Sequence, residues 1–378
     1  MKVNGIAKSI VDNLVRVTNE ISQGRNAGCF GFVNGEGIID QTTPIVKGGL
    51  GGLPLRILLG HITEMKGQSI IEGLEMTPEN TVFVTTRPGK TGLITDVSGV
   101  DFFNMPVIAI GVKQGEMAGV GIVYPKGEFF DLATKSEEVD LDILAAHTSD
   151  DEKKVLRDST ELSLKYLDLS SELKVVDIPV REEYKAIHAK DWKLPRLKVK
   201  SISGDFAEKL VAKSMEVGQG REVAAVGVID ESGNIVPKGE TVVGGIGFVP
   251  ARILASSCVD ITGKSLREIY AHEVPDNAVI VHTHPGGTGV MHMGDANAGP
   301  GSWGRPIAAI GHDNEGKVRG ATVIEDVKEV FDFADEDEEL GIKFFEAKTP
   351  EEEADIRNRK FGVAQEYTNL CKPIEILH

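Results

Sequence analysis

Four residues in the second half of the chain have types and spacings suited to metal chemistry: Glu222, His282, His284 and Asp295. The stretch VIVHTHPGGTGVMHMGDAN begins at Val279. In a strand, residues two apart face the same way, so His282 and His284 present two imidazoles to one point while Thr283 faces the other side. Pro285 and the glycines after it end the strand, and a loop of ten residues can return Asp295 as a carboxylate ligand. Two histidines and one carboxylate leave a fourth zinc position open for water, the pattern of a catalytic site. The same donors suit Fe(II). The plainer reading is a strand end with exposed histidines.

The elements that must position these groups point the same way. Glu222 opens the apolar stretch REVAAVGVID, which follows an amphipathic helix, so its carboxylate belongs at a strand end beside the loop. A buried glutamate bridging a backbone amide is the structural alternative. The order of helix, Glu222 with its apolar strand, His282-x-His284 followed by Pro285, and then Asp295 resembles the JAMM/MPN+ metalloprotease family over roughly residues 200 to 330. That resemblance implies zinc held by His282, His284 and Asp295, with Glu222 as general acid and base. It also implies cleavage of an amide bond after the carboxyl terminus of a small protein, with ubiquitin-like and sulfur-carrier proteins among the candidates. Zinc lowers the pKa of a coordinated water to about 7, and a positioned carboxylate adds about 100- to 10,000-fold.

One position departs from the family pattern. The family motif reads S-x-x-D, its serine helping to stabilise the oxyanion, and here His292, Met293, Gly294 and Asp295 stand in its place. Three readings of His292 are open: a catalytic imidazole donating to the oxyanion, an extra metal ligand that blunts hydrolysis, or a solvent-facing loop residue. The stretch ANAGPGSWGRPIAAIG after Asp295 is shorter and richer in glycine than the helix-bearing segment the family leads one to expect.

The chain also repeats itself. QGRNAGCFGFVNGEGII from Gln23 parallels QGREVAAVGVIDESGNI from Gln219, and GGLPLRILLGHITEMKGQSI from Gly51 parallels GFVPARILASSCVDITGKSL from Gly247, both 196 residues apart. NTVFVTTRPGKTG from Asn80 and MPVIAIG from Met105 likewise parallel NAVIVHTHPGGTG from Asn277 and RPIAAIG from Arg305. Each copy reads as an amphipathic helix (Ile6 to Ile21; Asp205 to Val217), two strands, a Pro-started helical segment, a β-branched strand, a Gly-rich loop and closing strands. This predicts an α/β protein. With the resemblance, it predicts two tandem MPN-like, cytidine-deaminase-like α-β-α domains: a degenerate copy at 1–135, a helical linker at 136–198 continuing into the extended connector KDWKLPRLKVKS, a catalytic copy at 199–335, and an acidic helical tail at 336–378 whose charges form a solvated face. In the first copy Glu222 corresponds to Asn26, His282 to Thr85, His284 to Arg87 and Asp295 to about Ser98, so the ligand types are replaced together. Arg87 is read as a solvated surface residue, with carboxylate binding or an acidic partner as the alternatives.

Bulk properties exclude several function classes. A net charge of -17 argues against nucleic acid, because phosphate binding needs clustered Lys and Arg. No apolar run approaches membrane-spanning length, and three separated cysteines predict a reducing compartment without disulfides. The sequence thus predicts a cytoplasmic protein with no membrane or nucleic-acid partner, compatible with an oligomer. Cys258 lacks a histidine at a motif spacing and reads as a small buried hydrophobe. His312 reads as a turn residue. The runs GGLGGLP and GGIGFVP lack a P-loop's Lys-Ser/Thr and read as flaps beside a groove. The leading expectation is a zinc-dependent peptidase or isopeptidase; the alternative is a metal-binding scaffold or regulatory protein with His292 closing the metal sphere.

Overall fold

The computed structural model describes residues 1–49, 52–97, 99–186 and 192–378. In the first half the strands are β1 (Gly5–Ala7), β2 (Ala27–Val33), β3 (Ile38–Thr42), β4 (Val46–Lys47), β5 (Thr81–Pro88), β6 (Val107–Lys113), β7 (Glu116–Val123), β8 (Ser171–Glu172) and β9 (Val175–Val176). In the second they are β10 (Ser201–Ser203), β11 (Val223–Ile229), β12 (Asn234–Pro237), β13 (Val242–Val243), β14 (Ala278–Pro285), β15 (Ile307–His312), β16 (Val318–Ile324), β17 (Lys372–Pro373) and β18 (Glu375–Leu377). The first-half helices are α1 (Lys8–Ile21), α2 (Leu55–Gly60), α3 (Ile70–Glu75), α4 (Val100–Phe103), α5 (Gly127–Ala145) and α6 (Ser149–Leu169). The second-half helices are α7 (Gly204–Val217), α8 (Ala251–Ser256), α9 (Leu266–Glu268), α10 (Met293–Ala296), α11 (Lys328–Glu346) and α12 (Pro350–Thr368), with π-helical turns at Ile269–Glu273 and Asn297–Trp303.

The result is a mixed α/β architecture with two sheets that repeat one strand order. The first runs β8-β7-β6-β5-β2-β3-β1-β9 with β4 on β2; the second runs β17-β16-β15-β14-β11-β12-β10-β18 with β13 on β11. Strand alternation divides each sheet into two faces. Val82, Val84, Ile108 and Ile110 pack with α1 in one cluster, and Val279, Val281, Ala308 and Ile310 pack with α7 in another. The opposite faces, carrying Phe83, Val107 and Ala109 in one sheet and Ile280, Ile307 and Ala309 in the other, share a third cluster to which both halves contribute.

The segments expected as a helical linker and an acidic helical tail contain long helices followed by short strands. The expected boundaries after 135 and after 335 fall inside α5 and α11. Beyond the helices, β8 pairs with β7 and β9 with β1, while β17 pairs with β16 and β18 with β10. Both segments therefore finish a sheet. Strands of two or three residues have too few positions to show a period, and this is why they escape a reading by hydrophobic pattern. The acidic helix α11 also buries Val330, Phe331, Ala334 and Leu340 instead of presenting only a solvated face. The extended connector begins outside the described residues; from Trp192 onward it straps the first half, with Leu194 N–H and Arg196 Nη2 each donating to the buried Glu72 carboxylate at 3.0 Å.

The helices cross between halves. Glu137 on α5 accepts the N–H groups of Arg252 and Ile253 at the start of α8, and Glu338 on α11 accepts those of Arg56 and Ile57 at the start of α2. Each short helix thus has two of its free N-terminal donors satisfied by a carboxylate from the other half. Arg252 completes the junction through a buried ion pair with Asp101, Nη1 to Oδ1 2.5 Å.

Candidate metal centre

The second sheet brings the four residues together at the ends of β11 and β14. These strands are antiparallel with Ala224 opposite His282, so Glu222, one residue before β11, stands opposite His284. Val223 N–H donates to Thr283 Oγ1 at 3.1 Å, which holds the ladder closed behind the site and turns Thr283 away from it. The Gly-rich run after β13 holds Glu222 by its backbone: Glu222 N–H donates to Gly245 O at 2.9 Å, and Gly244 N–H donates to Glu222 O at 2.8 Å.

His282 and His284 lie on the face of β14 shared with Ile280, as alternation requires, and their Nε2 atoms are 2.8 Å apart. Glu222, His282 and His284 each offer one ligand atom, all within 4.8 Å of one another. Asp295 comes in from α10, with Oδ1 3.1 Å from His282 Nε2 and 3.8 Å from His284 Nε2. His282 is buried, whereas the other three remain partly open to solvent.

The loop between β14 and α10 depends on glycine. Gly289 has φ +84°, and a Cβ there would sit 2.8 Å from Ala309 O. At Gly311 on β15 a Cβ would meet the Gly289 nitrogen at 2.3 Å. Only bare backbone lets the loop cross β15 this closely and deliver Asp295.

Electrostatics bind the cluster. Burial pushes the Glu222 carboxyl up, partly opposed by His282 and His284. Burial alone would lower His284, but Asp295, Glu222 and the Val290 backbone outweigh it and raise its pKa. Burial would raise Asp295, yet hydrogen bonds from His282 and His284 and the His292 amide hold it far below the usual carboxylate range. Two imidazoles and a carboxylate, with a second carboxylate beside them, match the donor types of zinc and equally those of Fe(II). His282 Nδ1 is buried without a partner among the described residues.

His292 is exposed, and its imidazole is not among the groups gathered around Glu222. Its backbone matters instead: the N–H donates to Asp295 Oδ2 at 2.8 Å. The glutamate bridging a backbone amide has no support among the described residues, because the groups acting on Glu222 are the two histidines and Asp295. The glycine-rich stretch after Asp295 does form helix, α10 running into the π-helical turn Asn297–Trp303, which contains Pro300. His312 is buried, with Nε2 2.9 Å from Ser214 Oγ and Nδ1 2.9 Å from Asp313 O, so it serves a strand end. Cys258 is half-buried, and burial raises its thiol.

In the first half Gly28 pairs with Thr85, so Asn26 stands opposite Arg87 as Glu222 stands opposite His284. Arg87 is not a solvated surface residue: its side chain is 11% exposed and it pairs with Asp96. Ser98 lies outside the described residues, and Asp96 is the carboxylate that meets this strand. The Val290 backbone and the His292 N–H left no signal in the sequence, since nothing in a residue's type marks a backbone contact, and Asp96 is one carboxylate among many with no pattern to single it out.

Among known proteins, no family model, no curated protein and no solved structure matches the chain. No described helix is long and apolar enough to cross a membrane.

Proposed function

We propose that the second half is a zinc-dependent hydrolase of the JAMM/MPN+ kind. It cleaves a peptide or isopeptide bond after the carboxyl terminus of a small protein, with ubiquitin-like and sulfur-carrier proteins as the candidate class. The observation that carries this reading is the convergence of Glu222, His282 and His284, with Asp295 against both imidazoles. His282, His284 and Asp295 are the ligands. Zinc, when bound, supplies Lewis-acid polarisation and makes water acidic enough to react near neutral pH. Glu222, part-buried and raised in pKa, takes the proton of the attacking water at a carboxylate oxygen and returns it to the leaving amine nitrogen.

The first half belongs to the same proposal as a duplicated, non-catalytic copy. The shared strand order supports it, as do the matched places of Asn26, Thr85 and Arg87.

Elemental analysis of the purified protein, together with cleavage of a small β-grasp protein fused through a Gly-Gly end to a reporter, tests the reading. Wild type should carry about one zinc per chain, and Glu222→Gln should keep the metal and lose about 100- to 10,000-fold in rate. Iron in place of zinc, or zinc-loaded protein whose cleavage does not depend on Glu222, defeats the proposal.

A further inference from the structure

The place in the first half that matches the metal centre is a cavity of about 470 Å³. Asn26, Thr85 and Arg87 line it, the counterparts of Glu222, His282 and His284. Asp96 stands beside Arg87 in the lining, and the remaining walls are mostly apolar, with Phe83, Phe102 and Phe103 among them.

At the polar end Arg87 pairs with Asp96, and the exposed Lys90 stands 3.8 Å from the same carboxylate just outside the lining. Arg87 Nη2 bonds Asp96, while Nη1 is enclosed with no hydrogen-bond partner among the described residues. A buried guanidinium with an unused donor is a costly arrangement that an acceptor anion relieves. Asn26 and Thr85 add an amide and a hydroxyl at the same end.

We propose that this cavity binds a small amphipathic carboxylate, its carboxyl group meeting the Arg87 guanidinium and its apolar body lying against Phe83, Phe102 and Phe103. The dimensions suit such a ligand, since small-molecule pockets run from about 300 to 1,000 Å³ with mostly apolar walls and a few placed polar groups. The opposite wall belongs to α4, whose Phe102 ring packs 5.3 Å from that of Trp303 in the other half. Trp303 ends the π-helical turn that follows α10, so Phe102 links the cavity wall to that turn.

Titration calorimetry of the full chain with 3-phenylpropionate as probe, and 3-phenylpropanamide as its neutral counterpart, tests the proposal. The acid should bind saturably and about tenfold or more tightly than the amide, the scale of one charge-assisted hydrogen bond. Arg87→Met should lose about tenfold or more, and Phe102→Ala should weaken both probes alike. Arg87→Lys, which keeps the charge and guards against misfolding as an explanation, should fall between wild type and Arg87→Met. A His282→Ala, His284→Ala double variant should bind the acid as wild type does, which assigns the binding to the first half. Equal affinity for acid and amide, binding unchanged by Arg87→Met, loss of binding with the two histidines, or no saturation at about 10 mM acid, far above a useful affinity for a ligand of this size, overturns it.

Discussion

The backbone N–H of His292 donates to Asp295 Oδ2 at 2.8 Å, which leaves Oδ1 turned to His282 at 3.1 Å. Asp295 is thus oriented by the main chain of His292. His292→Ser should therefore keep full metal content. His292→Pro, which removes the donor, should weaken metal affinity by about 10- to 100-fold, as loss of an orienting partner does elsewhere. Competition with a metal chelator measures both, and a large loss of metal in His292→Ser would show the imidazole to be a ligand after all.

The reciprocal carboxylates make the junction between halves sensitive to pH. Burial pushes Glu137 and Glu338 each up to about 7, the backbone donors of α8 and α2 only partly opposing it. Their pKa values are raised on folding, so between about pH 4.5 and 7 the folded chain holds protons that the unfolded chain has released, and stability falls as pH rises through that window. Above about pH 7 this contribution is flat. Urea midpoints at about pH 5.5 and about pH 8 should therefore differ less in the Glu137→Gln, Glu338→Gln double variant than in wild type, with the larger change at about pH 8, where wild type must bury ionised carboxylates.

Breaking the ion pair across the junction should cost far more than a surface pair. Arg252 and Asp101 are 1% and 3% exposed, and Leu266 N–H also donates to Asp101. Asp101→Asn leaves the guanidinium buried without its counter-charge and should destabilise by about 3–5 kcal/mol in equilibrium denaturation. A loss below about 1 kcal/mol, the scale of an exposed pair, would mean that water reaches Arg252.

Gly289 should tolerate no side chain. Its φ of +84° and the 2.8 Å approach to Ala309 O combine strain with a backbone clash. Gly289→Ala should cost about 1–3 kcal/mol and, by shifting the loop that leads to α10, should lower metal affinity. Gly294→Ala, where a Cβ meets nothing within 4 Å, is the control and should leave metal content unchanged.

The candidate site was largely legible. A period of two puts His282 and His284 on one face of β14, and the apolar run after Glu222 gives β11. Glycines 286, 287 and 289 mark the loop, and the internal matches anticipate the common strand order of the two sheets. The helices α1 and α7 were also readable from their amphipathic spacing. The edge strands β8, β9, β17 and β18 were not, because two or three residues have no measurable period. Arg87 was misread because one charged residue at a strand end looks the same in sequence whether solvent or Asp96 receives it.

By itself, then, the sequence determined which residues can share a strand face and where the chain must turn, since alternation, proline and glycine act locally through backbone geometry. Tertiary structure alone decided that Glu222 stands opposite His284, that the His292 backbone orients Asp295, and that Glu137 and Glu338 each serve the other half. Those outcomes depend on strand register and on packing between segments far apart in the chain, and no local preference of a residue specifies which distant partner its hydrogen bonds will find.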